Sequence, residues 1–131
     1  MNYISIRISA GESLDRYSIL QIKKALMTDK IKLVNICNEL EEFELLIRHL
    51  FSNIQIIQLY NDLYNINKEI WILSEKIREN NFQDYYKLDN RGNISELLEI
   101  HLKNDIRFQI KKNINNILNS NIIEEKSYKN L

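Results

Sequence analysis

The sequence predicts an all-α fold: an antiparallel bundle of about four helices, preceded by a short N-terminal β-strand. Three observations carry this. Proline is absent and glycine occurs only at Gly11 and Gly92, so the chain has few of the residues that punctuate regular structure. Apolar residues recur at helical period along most of its length. The breaks between these runs are short, which favours antiparallel neighbours. The length suits one domain, residues 1–131, large enough to bury roughly two thirds of its unfolded surface.

Ile4, Ile6 and Ile8 alternate with Ser5, Arg7 and Ser9, the period of a strand, so residues 1–9 are read as strand and cap. Such a strand needs a partner, either the tail around Ile122-Ile123-Glu124-Glu125 or another copy of the chain. Ser9-Ala10-Gly11-Glu12 has the spacing of a capping box, opening a helix from about Ala10 to Met27. Thr28-Asp29 breaks the pattern and caps a second helix, from about Lys30 to Phe51, with Leu33, Ile36, Leu40, Phe43, Ile47 and Leu50 on one face. Ser52-Asn53 is a weaker break. The third helix runs to about Glu79 behind Ile56, Leu59, Leu63, Ile66, Ile70, Leu73 and Ile77. Residues 80–93 are polar and contain the turn composition Asp89-Asn90-Arg91-Gly92, which predicts a loop. A fourth helix starts from a cap at Asn93 or Ser95 and ends near Asn119, leaving residues 120–131 as a charged tail.

Composition excludes several function classes. Lys+Arg and Asp+Glu are both 18, so no net charge draws the chain to nucleic acid or to an anionic membrane. No apolar stretch approaches the ~20 residues that span a bilayer, and the N-terminus lacks a signal-peptide pattern. The lone Cys37 fits a reducing compartment, and a cytoplasmic location is expected. Long helices without glycine-rich loops offer no phosphate cradle or nucleophile elbow. The acidic run Glu39-Leu40-Glu41-Glu42-Phe43-Glu44 has no second acidic motif to share a magnesium ion with. His49 and His101 have no His or Cys at ligand spacing. No metal and no cofactor are expected.

Chemistry must then come from side chains between helices. At about 100° per residue, Asp15 and Ser18 fall inside the apolar stripe of the first helix and Glu12 at its edge. Glu44 and Arg48 lie on the margin of the second. Asn67 and Ser74 sit in the apolar arc of the third, with Arg78 at its border. In the fourth, Asn104, Lys111 and Asn115 line up with Phe108, flanked by Asp105 and Arg107. A charge on a core-facing stripe is costly unless paired. Two readings follow: interhelical salt bridges that fix the register of the bundle, or a polar pocket between helices.

Two segments carry a resemblance. The first is Ile8-Ser9-Ala10-Gly11-Glu12-Ser13-Leu14-Asp15-Arg16, continuing through Ile19-Leu20-Gln21-Ile22-Lys23. The second is Asn104-Asp105-Ile106-Arg107, then Lys111, Ile114-Asn115, Ser120 and Glu124-Glu125-Lys126-Ser127-Tyr128. With Ile70-Trp71 and Ile77-Arg78 between them, the chain resembles a family of small helical domains of unknown function in bacteria and their viruses. Ala10 and Ser74 depart from its pattern, where proline and an acid are expected. The resemblance implies no activity. It points to Glu12, Asp15, Arg78, Asn104, Asp105, Arg107, Lys111 and Asn115, and adds Glu124, Glu125, Lys126 and Tyr128.

Two functions are therefore expected. One is a non-enzymatic protein-interaction module that forms a homodimer or binds a protein partner, because Tyr60, Tyr64 and Trp71 widen the third helix's apolar arc beyond the ~100° of a simple surface helix. The other is a helical enzyme or small-anion-binding protein, with Arg78, Arg107 and Lys111 as a clamp and Glu12 or Asp15 as acid or base.

Overall fold

The computed structural model describes residues 2–79 and 91–119, with side chains from residue 94 in the second segment. Every regular element in it is helical. Helix α1 spans Ala10–Leu26, α2 Lys30–Ile47, α3 Ile54–Glu79 and α4 Arg91–Ile117, and a 3₁₀ turn at Arg48–Ser52 joins α2 to α3. This is the helical bundle expected.

The helix starts follow local hydrogen bonding. Ser9 is extended, and its hydroxyl accepts from the Glu12 N–H at 3.1 Å. Only half of the capping box forms, because the Glu12 carboxylate turns to Arg16 and Lys111 instead of the Ser9 N–H. Asp29 caps α2 by accepting from Ile31 and Lys32, at 3.0 and 3.1 Å. Asn53 accepts from the Gln55 N–H at 2.9 Å at the head of α3. Asn119 follows α4 with a φ of 52°, the left-handed conformation that asparagine tolerates and that ends a helix.

Three boundaries differ from expectation. The second helix gives way to the 3₁₀ turn at Arg48, because Phe51 packs back against Tyr17 and Tyr60, with ring centroids 6.3 and 5.1 Å away. The fourth helix begins at Arg91, so Gly92 lies in its first turn and does not mark a turn ahead of it. Residues 2–9 form no strand, and Ile4 is 90 % exposed. A two-residue period makes a strand only where another strand supplies the ladder, and the other described elements are helices. The expected pairing with residues 122–125 lies outside the described residues.

Helix α1 is the hub, since α2, α3 and α4 all pack against it. Helices α3 and α4 run antiparallel, tied by Lys103–Glu69 at 3.0 Å and Lys76–Glu96 at 2.9 Å. Leu14, Ile22, Ile56, Leu63 and Ile114 are essentially inaccessible to solvent. Among the described residues, the buried apolar side chains stop at Ile66 in α3 and begin at Phe108 in α4. Beyond this core, among the described residues, α3 and α4 pair with each other as a two-helix stem.

Truncating Leu63 removes contacts from the centre of the core, whereas Leu46 is 70 % exposed. Urea denaturation of Leu63→Ala is expected to show a loss of about 2–5 kcal/mol, and Leu46→Ala a change of about 0.5 kcal/mol or less.

Candidate functional site

The charged residues on the apolar stripes meet where α1 crosses α3 and α4. Asp15 is 1 % exposed. Its Oδ1 accepts from Arg107 Nε at 2.9 Å and from Asn67 Nδ2 at 2.8 Å, and its Oδ2 accepts from the other arm of the same guanidinium. This is the bidentate fork that fixes both distance and orientation. Lys111 Nζ lies 3.8 Å from Asp15 Oδ2 and donates to Glu12 Oε2 at 2.7 Å. Arg16 Nε donates to Glu12 Oε1 at 3.0 Å. Asn67 Nδ2 also donates to Ser18 Oγ at 2.7 Å, and the Ser18 hydroxyl donates to the Asp15 carbonyl. No buried side-chain polar atom in this cluster lacks a partner.

Gly11 completes the junction. Its N–H donates to Asn115 Oδ1 at 2.7 Å, so a side chain from α4 satisfies an orphan donor in the first turn of α1. A Cβ at Gly11 would stand 2.5 Å from the Lys111 carbonyl oxygen, inside any real contact distance. Glycine is required here by the approach of two backbones, not by an unusual φ.

Burial alone would raise the Glu12 carboxyl, but the hydrogen bonds from Lys111 and Arg16 outweigh it and hold the carboxyl below its ordinary range. Breaking an ion pair of the buried Asp15 type typically costs about 3–5 kcal/mol, because the remaining charge is left uncompensated.

Five of the expected site residues converge here: Glu12, Asp15, Arg107, Lys111 and Asn115. Arg78 does not. It is exposed on the distal stem beside Glu75, at 3.6 Å, so the three-cation clamp is not assembled. The border position of Arg78 on α3 lies away from the α1 crossing at Asn67 and Arg107, and no third helix among the described residues covers it there. Asn104 and Asp105 are half-buried on α4 without a hydrogen bond into the cluster. Glu124, Glu125, Lys126 and Tyr128 lie outside the described residues. Asn67 and Ser18 join the cluster from positions already notable as polar residues on apolar faces.

A second polar chain was not anticipated. Tyr60 donates to Gln21 Oε1 at 2.7 Å, Gln21 Nε2 donates to the Tyr17 hydroxyl at 2.9 Å, and Tyr17 donates to Glu44 Oε1 at 3.2 Å. Burial, reinforced by neighbouring Tyr17 and Tyr64, pushes the Tyr60 hydroxyl well above its ordinary range. Burial and then Glu44 raise Tyr17. Both phenols therefore remain donors at neutral pH. Tyr60, one of the aromatics expected to face a second copy, is thus used inside the molecule. The four-residue spacing of Tyr17 and Gln21 was the available signal, but it does not reveal which helix they meet.

Among the described residues, no group of three or more His, Cys, Asp or Glu side chains could hold a metal ion, and no helix is long and apolar enough to cross a membrane. No family model, curated protein or solved structure matches the chain.

Two measurements test the junction. Gly11→Ala must separate α1 from α4 and is expected to lose about 1–3 kcal/mol by urea denaturation. A lowered carboxyl contributes stability above its unfolded-state pKa and loses it as pH falls through the lower folded-state value. The native chain should therefore lose stability more steeply than Glu12→Gln as the pH is lowered from about 6 to about 3, read from urea midpoints.

Proposed function

We propose that the protein is a non-enzymatic interaction module that self-associates through the outer face of α4. The observation that carries this reading is the stripe Ile94, Leu98, Leu102 and Ile106, exposed by 56, 60, 64 and 50 %. Four-residue spacing places the four side chains along one continuous ridge, and Leu97 adjoins it. By fractional exposure these five side chains present roughly 500 Å², more than half of one partner's share of a standard interface. The stripe lies mostly on the two-helix stem, where no third helix among the described residues supplies a covering layer. A second stem would supply it, as paired hairpins do in four-helix bundles.

A second copy is favoured as the occupant because this surface carries both signs of charge. Glu99 and Asp105 border it together with Lys103, so two copies do not repel. The balanced charge of the chain supports a protein partner over nucleic acid, and the lone Cys37 supports a reducing compartment such as the cytoplasm. Membership in the helical family that the sequence resembles is part of this proposal and adds no activity to it.

The enzyme or anion-clamp reading has less support. Arg107 and Lys111 are bonded to Asp15 and Glu12, so an incoming anion would have to displace internal carboxylates from a buried junction.

Light scattering coupled to size exclusion is expected to give twice the 15.8 kDa chain mass at high micromolar concentration. The double variant Leu98→Glu/Leu102→Glu should remain helical by circular dichroism and dissociate at least roughly tenfold more readily. A native chain that stays monomeric throughout that range would sink the proposal.

A further inference from the structure

Helix α2 packs on α1 and on the 3₁₀ turn, but not closely along α3. This leaves a groove of ≈ 650 Å³ between the three helices, on a face separate from the charged junction. Its volume falls in the range of small-molecule sites, and clefts between bundle helices are where such sites are built. Leu40 supplies apolar surface and Tyr64 an amphipathic ring. Gln21 and Lys24 line it from α1, and Glu41 and Glu44 from α2.

Two properties distinguish this groove from a gap in packing. First, its polar wall is ordered from within. The chain of donors Tyr60, Gln21 and Tyr17 ends on one oxygen of Glu44 and holds that carboxylate on the α2 wall. Second, opposite charges line different walls without neutralising each other. Among the described residues, Lys24 and Glu41 make no ion pair, and Glu44 is held by a neutral phenol, not a cation. The groove thus presents a cation on α1, carboxylates on α2 and an apolar surface in between.

We propose that this groove binds a small zwitterion with an apolar body, of the amino-acid or short-peptide class. The ligand's ammonium faces Glu41 and Glu44, its carboxylate faces Lys24, and its side chains lie over Leu40 and Tyr64. Both ends are charge-assisted contacts, so each end contributes separately to affinity.

The test uses the dipeptide leucyl-leucine as the probe, titrated calorimetrically into the full chain. N-acetyl-leucyl-leucine lacks the ammonium and leucyl-leucinamide lacks the carboxylate. The dipeptide should bind, and each blocked form should bind at least roughly tenfold more weakly. Glu44→Gln should reduce the penalty for acetylation, Glu41 still facing the ammonium, and Lys24→Met should erase the penalty for amidation. Both residues are exposed, so neither variant removes core contacts. Absence of dipeptide binding up to about 10 mM, equal affinity for all three compounds, or penalties unchanged in both variants would overturn the assignment. The outcome is independent of self-association, because the groove and the α4 stripe share no residue.

Discussion

The fold depends on how Asp15 is neutralised. A carboxylate this deeply buried is tolerable only when its oxygens are filled by donors held in place. Arg107 from α4, Asn67 from α3 and the nearby ammonium of Lys111 meet that requirement together. Each donor comes from a different position along the α3–α4 hairpin, so satisfying Asp15 fixes how α1 lies across it. Apolar contacts around Leu14, Leu63 and Ile114 supply burial, but they would tolerate a slip along the helices. The forked guanidinium would not.

Much of this was legible in the residues. Helical periodicity located the four helices, and Ser9 and Asp29 marked two starts correctly. The angular positions of Asp15, Lys111 and Asn115 identified them as polar groups on core-facing surfaces, and the need to pair such groups led to the interhelical bonds. Partner choice was not legible. Arg78 and Arg107 both sit by an apolar arc, yet only Arg107 lies where α1 passes. The helical period gives direction around an axis and says nothing about which neighbour occupies it. The local break at Ser52-Asn53 was legible, but the packing of Phe51 on Tyr17 and Tyr60 in the 3₁₀ turn before it was not. Residues 2–9 had the alternation of a strand, but alternation cannot supply a second strand.

Polar and apolar chemistry are divided between two ends of the same hairpin. Where α1 crosses, α3 and α4 carry charges inward and are tied by named hydrogen bonds. Beyond it, their ion pairs Lys103–Glu69 and Lys76–Glu96 staple two helices whose apolar side chains remain largely accessible. The groove beside α2 is a third environment, ordered by the Tyr60–Gln21–Tyr17 relay. One short hub helix thus contributes to a rigid junction through Glu12 and Asp15 and to the groove through Gln21 and Lys24.

The junction also sets an order of assembly. Gly11, Glu12 and Asp15 lie 104, 99 and 92 residues from the α4 side chains that complete them. When the chain emerges from the ribosome, α1 is made first, yet its buried carboxylate has no guanidinium until α4 follows. Early compaction of α1 with α2 and α3 would therefore enclose an unneutralised charge, which disfavours a stable partial structure. Helix α4 therefore acts as a keystone: only once it is present can α1 bury Asp15 against its guanidinium partner.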